Sequence, residues 1–555
     1  MKMKGSIVYN RIFKMLFLST LIFAFLVVRL YWIQIVNHES LRAEALKQRG
    51  QEIRLSPNRG IIYDRNLIPL TNRKKVITGF FFKKDIESDS TLREAIIKSS
   101  HMDDSQLDEH IKSKGTIVDI PLISNLLDID ERKFFTANRI ERYDDINMLS
   151  HVIGHINRSE NKGEAGIEKV YDEILKNEGD HSVYIDLDER RRIFTKEEYL
   201  VNRDIDPRGP NGVKLTVDYY IQKEVERILD RRGIKGSAIV ADVKTGDILA
   251  MASRPNFDQD NIERYLNRED MALYNKAVQV GYPPGSLFKL VVLLTAFEKG
   301  DHNFSNQFYC NGYERVGKSI INCNKREGHG HITLREAFSK SCNSAFIQLG
   351  QEVGSKNIID MANRLGFGSR LNIGLLEEIE GNLPTGSELL GPAIGNISIG
   401  QGSIEVTPLQ VTNMMLSIAN GGIKKGMAIV KGTVGRDGYM IKGFNRSEDF
   451  RVISEKTAKI IKGYLADVVQ YGTANNLDLT DIGGAGGKTG SAEAILNGRR
   501  TVHGWFSGFY PLENPKHVVT VFVEEGMSGS QTAVPIFEDI TRTIYNIKQI
   551  GLAPQ

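Results

Sequence analysis

GYPPGSLFKLVVLLTAFEKG, Gly281 to Gly300, sets a serine and a lysine three residues apart at the start of an apolar helix. The i, i+3 spacing of Ser286 and Lys289 puts both side chains on one helical face. A serine hydroxyl is a weak nucleophile near neutral pH and needs a base; an amine serves when desolvation or nearby positive charge lowers its pKa. Ser286 is the candidate nucleophile and Lys289 its candidate base. The first turn of the helix adds backbone N–H groups and the positive end of the helix dipole, both suited to a developing oxyanion. Taken alone, the pattern equally fits an N-capping serine beside a solvated lysine.

Two motifs downstream change the balance. SKSCNSAF supplies Ser341, Cys342 and Asn343, and GGKTGSAE supplies Lys488, Thr489, Gly490 and Ser491. In this order, S-x-x-K, S-x-N and K-T-G are the shared motif set of penicillin-binding proteins and serine β-lactamases. Further stretches extend the likeness, among them RLYWIQIVN, SPNRGIIYDRN, LSHVIGH, EAGIEKVYD, SAIVADVKTGDILAMASRPNFD, SIGQGSIEVTPLQ, YGTANN and HGWFSGFYP. Over nearly its whole length the chain resembles the class B penicillin-binding proteins, monofunctional D,D-transpeptidases of peptidoglycan synthesis.

The resemblance implies a mixed α/β transpeptidase domain like that of the serine β-lactamases, an elongated N-terminal pedestal and one transmembrane helix. It also implies roles for the matching residues. Ser286 attacks the carbonyl between two D-alanines of a stem peptide, Lys289 takes its proton, and Ser341 relays protons between Lys289, Lys488 and the leaving amine. Asn343 orients the peptide, while Lys488 and Thr489 suit its terminal carboxylate. Gly490 lets the strand approach the substrate, and the backbone N–H groups of Ser286 and Ser491 form the oxyanion hole. Gly400, Gln401 and Gly402 shape the cleft floor, and Trp505 packs in the core. Arg59, Gly60, Asp64 and Arg65 match the family's RG-x-I-x-DR pattern, read as a turn with ion pairs. β-Lactams are expected to acylate the serine, and a polytopic lipid II-polymerising glycosyltransferase is the expected partner. Hydrolytic variants of the same chemistry, a D,D-carboxypeptidase or slow β-lactamase, and a scaffold of the cell-wall machinery with incidental acylation are the competing readings.

All three cysteines fall in one window, Cys310, Cys323 and Cys342, with His329 and His331 between the last two. Confined cysteines beside histidines fit a metal site or a disulfide better than scattered packing thiols. The pattern resembles a sporulation-type subset of class B proteins. Structural zinc on Cys310, Cys323 and His329 is the expectation, with His331, Cys342 or Asp301 as a fourth ligand. A Cys310–Cys323 disulfide and free thiols stay open as alternatives, and catalysis itself needs no cofactor.

Composition agrees with an exported globular protein. Of 555 residues, 41% are hydrophobic and 25% charged, and 72 basic against 69 acidic residues leave a net charge of +3, too small to favour a nucleic-acid backbone. MLFLSTLIFAFLVV, Met15 to Val28, carries no charge, and LYWIQIV continues the apolar block to Val36 once Arg29 snorkels to the interface. The basic residues Lys2, Lys4, Arg11 and Lys14 precede it, so the positive-inside rule puts 1–14 in the cytoplasm and the remainder outside. The expected organisation is a signal anchor over 15–36, a pedestal over 37–215 and a transpeptidase domain over 216–555, with the last boundary at the Pro/Gly/Asp loop DIDPRGPNG.

Overall fold

The computed structural model describes the chain apart from residues 1, 39–40, 42–50, 55–58, 114, 125–128, 131–132, 159, 177–179, 188–192, 202–210, 301–306, 497 and 551–555; side chains are not described for 2–8, 51–54, 113, 180–187, 193–201 and 496. The chain forms two compact units, one of residues 1–58, 74–142 and 179–205 and one of 59–73, 143–178 and 206–555.

The first unit begins with a helix over Lys2–Tyr31 that continues as a π-helical turn over Trp32–Val36. Its segment Tyr9–Val36 is long and apolar enough to cross a membrane, and none of it is buried against protein. The remainder of this unit includes an antiparallel sheet of Lys74–Phe82 flanked by Ile117–Pro121 and Phe134–Glu141. Alternation turns Val118 and Ile120 inward against Phe81, and the helices Ser90–Ser99 and Asp104–Ser113 add Leu92, Ile96, Leu107 and Ile111 to the same small core. Asp89 caps the first of these helices by accepting from Thr91 and Leu92 N–H.

The second unit is built on a five-stranded antiparallel sheet ordered Ile248–Arg254, Gly236–Asp242, His517–Val523, Arg499–Tyr510, Gly486–Leu496. Every residue of His517–Val523 is buried, so both faces of the sheet are covered. The helices Tyr219–Arg232 and Gly529–Gln549 pack on each other and on the sheet, as does Pro408–Ala419, a helix buried on every side. The edge strand Gly486–Leu496 lies against the turn Gly285–Phe288, which leads into the buried helix Lys289–Glu298.

The stretch read as a pedestal contributes to both units, because Arg59 and its partners belong to the second. Arg59 is fully buried, with Nε 2.8 Å from Glu168, Nη1 2.8 Å from Asp172, and Nη2 donating to the Glu168 carbonyl at 3.0 Å. A side chain on Gly60 would collide with the Asn211 carbonyl, 1.4 Å from a Cβ. Asp64 accepts from the N–H groups of Asn66 and Ile68 at 2.7 Å each and of Tyr219 at 3.2 Å. These residues of the RG-x-I-x-DR pattern thus close a turn and its buried ion pairs, as read from the sequence.

Candidate active site

The Gly285–Phe288 turn is wedged between two backbones. Gly285 has φ +54°, and a Cβ there would stand 2.6 Å from the Ser491 carbonyl. Its N–H donates to Gly400 O at 2.9 Å, and Gly400 has φ +67° with no room for a Cβ above Gly285 O. Both positions need glycine for conformation and for contact. Ser286 emerges half-buried from this turn, and Lys289 opens the following helix fully buried.

The S-x-N segment reaches the same place through an unusual backbone. Ser341 holds φ +55°, a left-handed conformation uncommon for a residue with a Cβ. There Ser341 presents its carbonyl to Lys289 Nζ at 2.7 Å and its Oγ to the same ammonium at 3.2 Å. Lys488 Nζ lies 3.2 Å from that Oγ on the other side and donates to Thr489 O at 3.0 Å. Asn343 Oδ1 accepts from Lys289 at 2.7 Å, and its Nδ2 donates to the Asn322 carbonyl at 3.0 Å. The amide is therefore held between the lysine and the hairpin Tyr313–Val316/Ser319–Asn322.

Both lysines are buried among neutral acceptors. Burial pushes Lys289 down to about 8, against a smaller upward pull from Cys342 and Cys323. Lys488 is driven well below the usual lysine range, first by burial and then by the charge of Lys289. Two amines bridged by one hydroxyl, with at least one able to lose its proton near neutral pH, can accept, pass on and return a proton.

Strand alternation places Thr489 and Ser491 on one face, and both line a cleft of ≈ 640 Å³ together with Ser286, Ser341, Asn343 and Gln401. Gly490 is also confined on its other side: a Cβ there would stand 3.0 Å from Pro284 O and from Trp505 Cβ, in the Ser286 turn and the neighbouring strand. Trp505 is fully buried in the core, and its indole N–H donates to Pro283 O at 3.2 Å. Sequence reasoning missed the brace beneath this turn: Lys276 Nζ pairs with Glu524 at 2.5 Å and Tyr282 OH donates to the same carboxylate at 2.7 Å, all buried. Nothing local marks these residues, which are 248 positions apart in the ion pair.

The Cys310, Cys323 and Cys342 thiols and the His329 imidazole converge with all ligand atoms within 4.8 Å of one another. The cysteines are free and buried. Cys323 Sγ stands 3.7 Å from Cys342 Sγ and 3.6 Å from His329 Nδ1. Tetrahedral zinc with ordinary bond lengths needs about 3.8 Å between two sulfurs and about 3.5 Å between sulfur and nitrogen, so the four groups fit a Cys₃His metal set. The hydrogen bond between the two thiols pulls Cys323 down and pushes Cys342 up, so the pair shares one thiolate. Of the three expected fourth ligands, Cys342 joins the set. His331 is exposed and packs on the Tyr309 ring at 5.0 Å between centroids, and Asp301 lies outside the described residues.

Comparison with known proteins agrees with this geometry. Residues 236–542 match the family model of the penicillin-binding protein transpeptidase domain. The chain is 30% identical to stage V sporulation protein D of Bacillus subtilis, covering 100% of this chain and 88% of that protein. It is 27% identical to the peptidoglycan D,D-transpeptidase MrdA of Acinetobacter baumannii, over 95% and 87% of the two chains. Among solved structures, the fold matches one from a peptidoglycan synthase complex with TM-score 0.70 and 23% identity, over 97% of this chain and 98% of the other. It also matches Helicobacter pylori PBP2 bound to MreC with TM-score 0.66 and 21% identity, over 91% and 100%. With the family model matched over more than half of it and a 30% identical relative spanning it entirely, the chain belongs to the penicillin-binding protein transpeptidases, among their class B members.

Proposed function

We propose that this protein is a membrane-anchored peptidoglycan D,D-transpeptidase that works through an acyl-enzyme on Ser286 and is trapped there by β-lactams. The observation that carries the reading is the unbroken chain Lys289 Nζ, Ser341 Oγ, Lys488 Nζ, with 3.2 Å at each step, whose middle member Ser341 lines the cleft together with Ser286. In its neutral form Lys289 takes the Ser286 proton as Oγ attacks the carbonyl between the two D-alanines. The carbonyl oxygen gathers charge toward the backbone N–H groups of Ser286 and Ser491. As the C–N bond breaks, Ser341 passes a proton to the departing amine, which leaves as free D-alanine and an ester on Ser286. An acceptor amine from a neighbouring strand then attacks the ester, its proton returns along the same chain, and Ser286 is regenerated with one new peptide bond. Lys488, Thr489 and Ser491 hold the terminal carboxylate in the first half of the cycle, and Asn343 fixes the Lys289 ammonium.

Within this reading, 1–14 are cytoplasmic, the helix over 15–36 is the anchor, and the remainder works outside the membrane, in partnership with a polytopic lipid II polymerase. Solved neighbours described as a peptidoglycan synthase complex and as a PBP2–MreC complex support such partnership. Cys310, Cys323, His329 and Cys342 would hold zinc, which supplies a structural crosslink and no step of the acyl transfer. The purified chain, given lipid II and a partner polymerase, should yield crosslinked peptide dimers and one D-alanine per crosslink. Tetrapeptide with no crosslink would replace this reading by a carboxypeptidase.

A further inference from the structure

The segment Tyr471–Asn476 has no role in the account so far, yet it touches three parts of the site. Gly472 lies so close to the S-x-N arm that a Cβ would stand 2.3 Å from Ser339 O, and the next N–H, of Thr473, donates to the same carbonyl at 3.1 Å. Asn476 Nδ2 donates to Ser530 O at 3.0 Å, at the start of the helix Gly529–Gln549. Between these anchors Thr473 lines the cleft, with its Oγ1 2.5 Å from Thr489 Oγ1.

Two hydroxyls in contact share one proton along their line, so the other proton is directed elsewhere. Without a ligand either oxygen can be the donor. An anion at Thr489 decides the direction: Thr489 donates to the anion, its oxygen becomes a better acceptor, and Thr473 donates to it. The neighbouring Ser491 Oγ likewise accepts, from Gly529 N–H at 3.3 Å, which leaves its own proton to give. We propose that Thr473 is a positioning residue for the carboxylate subsite: its hydroxyl orders the Thr489 proton toward the substrate's terminal carboxylate, and it discriminates carboxylate-bearing donors from neutral ones. The inference rests on the assignment of that carboxylate to Thr489 and Ser491 under the proposed function.

The test uses benzylpenicillin and its methyl ester, which differ only in the carboxylate. The wild-type protein should be acylated much faster by the acid than by the ester. Thr473→Val, nearly isosteric, should lower the second-order acylation constant for the acid about 10-fold, the scale of one hydrogen bond serving a charged group, and leave the ester's constant unchanged. Thr473→Ser should restore the acid's constant to within about 2-fold, and in a Thr489→Val background the Thr473→Val effect should vanish. Equal losses on both probes, or a loss that persists without the Thr489 hydroxyl, would make Thr473 a brace of the strand and overturn the proposal. If the wild-type protein itself reacts equally with both probes, the carboxylate assignment fails and the Thr473 role falls with it. A Thr473→Val protein with a lowered melting temperature but an unchanged ratio between the probes also overturns it.

Discussion

Three consecutive residues serve two different neighbourhoods. Ser341 and Asn343 turn into the cleft, where they hold Lys289, while Cys342 between them turns away to meet Cys323, 3.7 Å off. On the cleft side both amines lie 3.2 Å from the Ser341 hydroxyl, and Lys289 also donates to the Ser341 carbonyl and the Asn343 amide oxygen at 2.7 Å. The thiol side is spaced at 3.6–3.7 Å, close to the separation of ligands around one tetrahedral ion. The division follows the alternation of an extended segment, with Cys342 in extended conformation between the left-handed Ser341 and the helix that Asn343 opens. The proton-handling side and the thiol side are thus joined through one backbone segment.

Perturbing each side separately should therefore give different signatures. The largest effect is expected from Lys289→Ala, which should slow penicillin acylation by about 100-fold or more, the usual worth of a general base. Because the thiol side is untouched, metal content should stay at its wild-type value; a loss of metal in this variant would break the separation. Cys323→Ser, or exhaustive chelation, should act on both sides at once. Loss of a bound structural ion should cost about 2 kcal/mol or more, lowering the melting temperature by roughly 4–8 °C, and should slow acylation by loosening the S-x-N arm. Differential scanning calorimetry and acylation kinetics on metal-free protein check this, and an unchanged melting point would leave the cysteines as packing residues.

The pH profile sharpens the contrast further. A buried lysine lowered to about 8 is protonated, and useless as a base, below that value. Acylation should fall about 10-fold per pH unit on the acid side and level off above about 8; Cys323→Ser, which removes an upward pull on Lys289, should lower the plateau and move the limb toward lower pH. A profile flat from pH 6 to pH 9 would remove Lys289 as the base. The smallest effect is predicted for His331→Ala, which should change neither metal stoichiometry nor acylation. A loss of metal there would place His331 in the ligand set and His329 outside it.

How much of this could be read beforehand depends on distance along the chain. The i, i+3 pair Ser286–Lys289 follows from helix geometry alone, and the motif order gave Ser341 and Lys488 as its partners. His329 was named beside Cys310 and Cys323, but the fourth place stayed open among His331, Cys342 and Asp301, because His329 and His331 would share a face in a regular strand. Gly330 at φ +68° between them breaks the alternation, turning His329 to the thiols and leaving His331 on Tyr309. At Gly490 the substrate-approach reading came from the motif, whereas the crowding by the Pro284 backbone, more than 200 positions earlier, could not be read from it. The buried Lys276–Glu524 pair was hidden for the same reason, since charged residues read from sequence as surface until a partner is found in space; for Arg59 ion pairing was legible, but its partners Glu168 and Asp172 were not.

The central claim is that Ser286 is the nucleophile of an acyl-transfer site, and intact-protein mass spectrometry after incubation with penicillin tests it most directly. The wild-type chain should gain the mass of one intact drug molecule and keep it over the time an acceptor amine would take to arrive, whereas Ser286→Ala should gain nothing. A Ser286→Ala protein that still acquires the drug's mass would contradict the assignment.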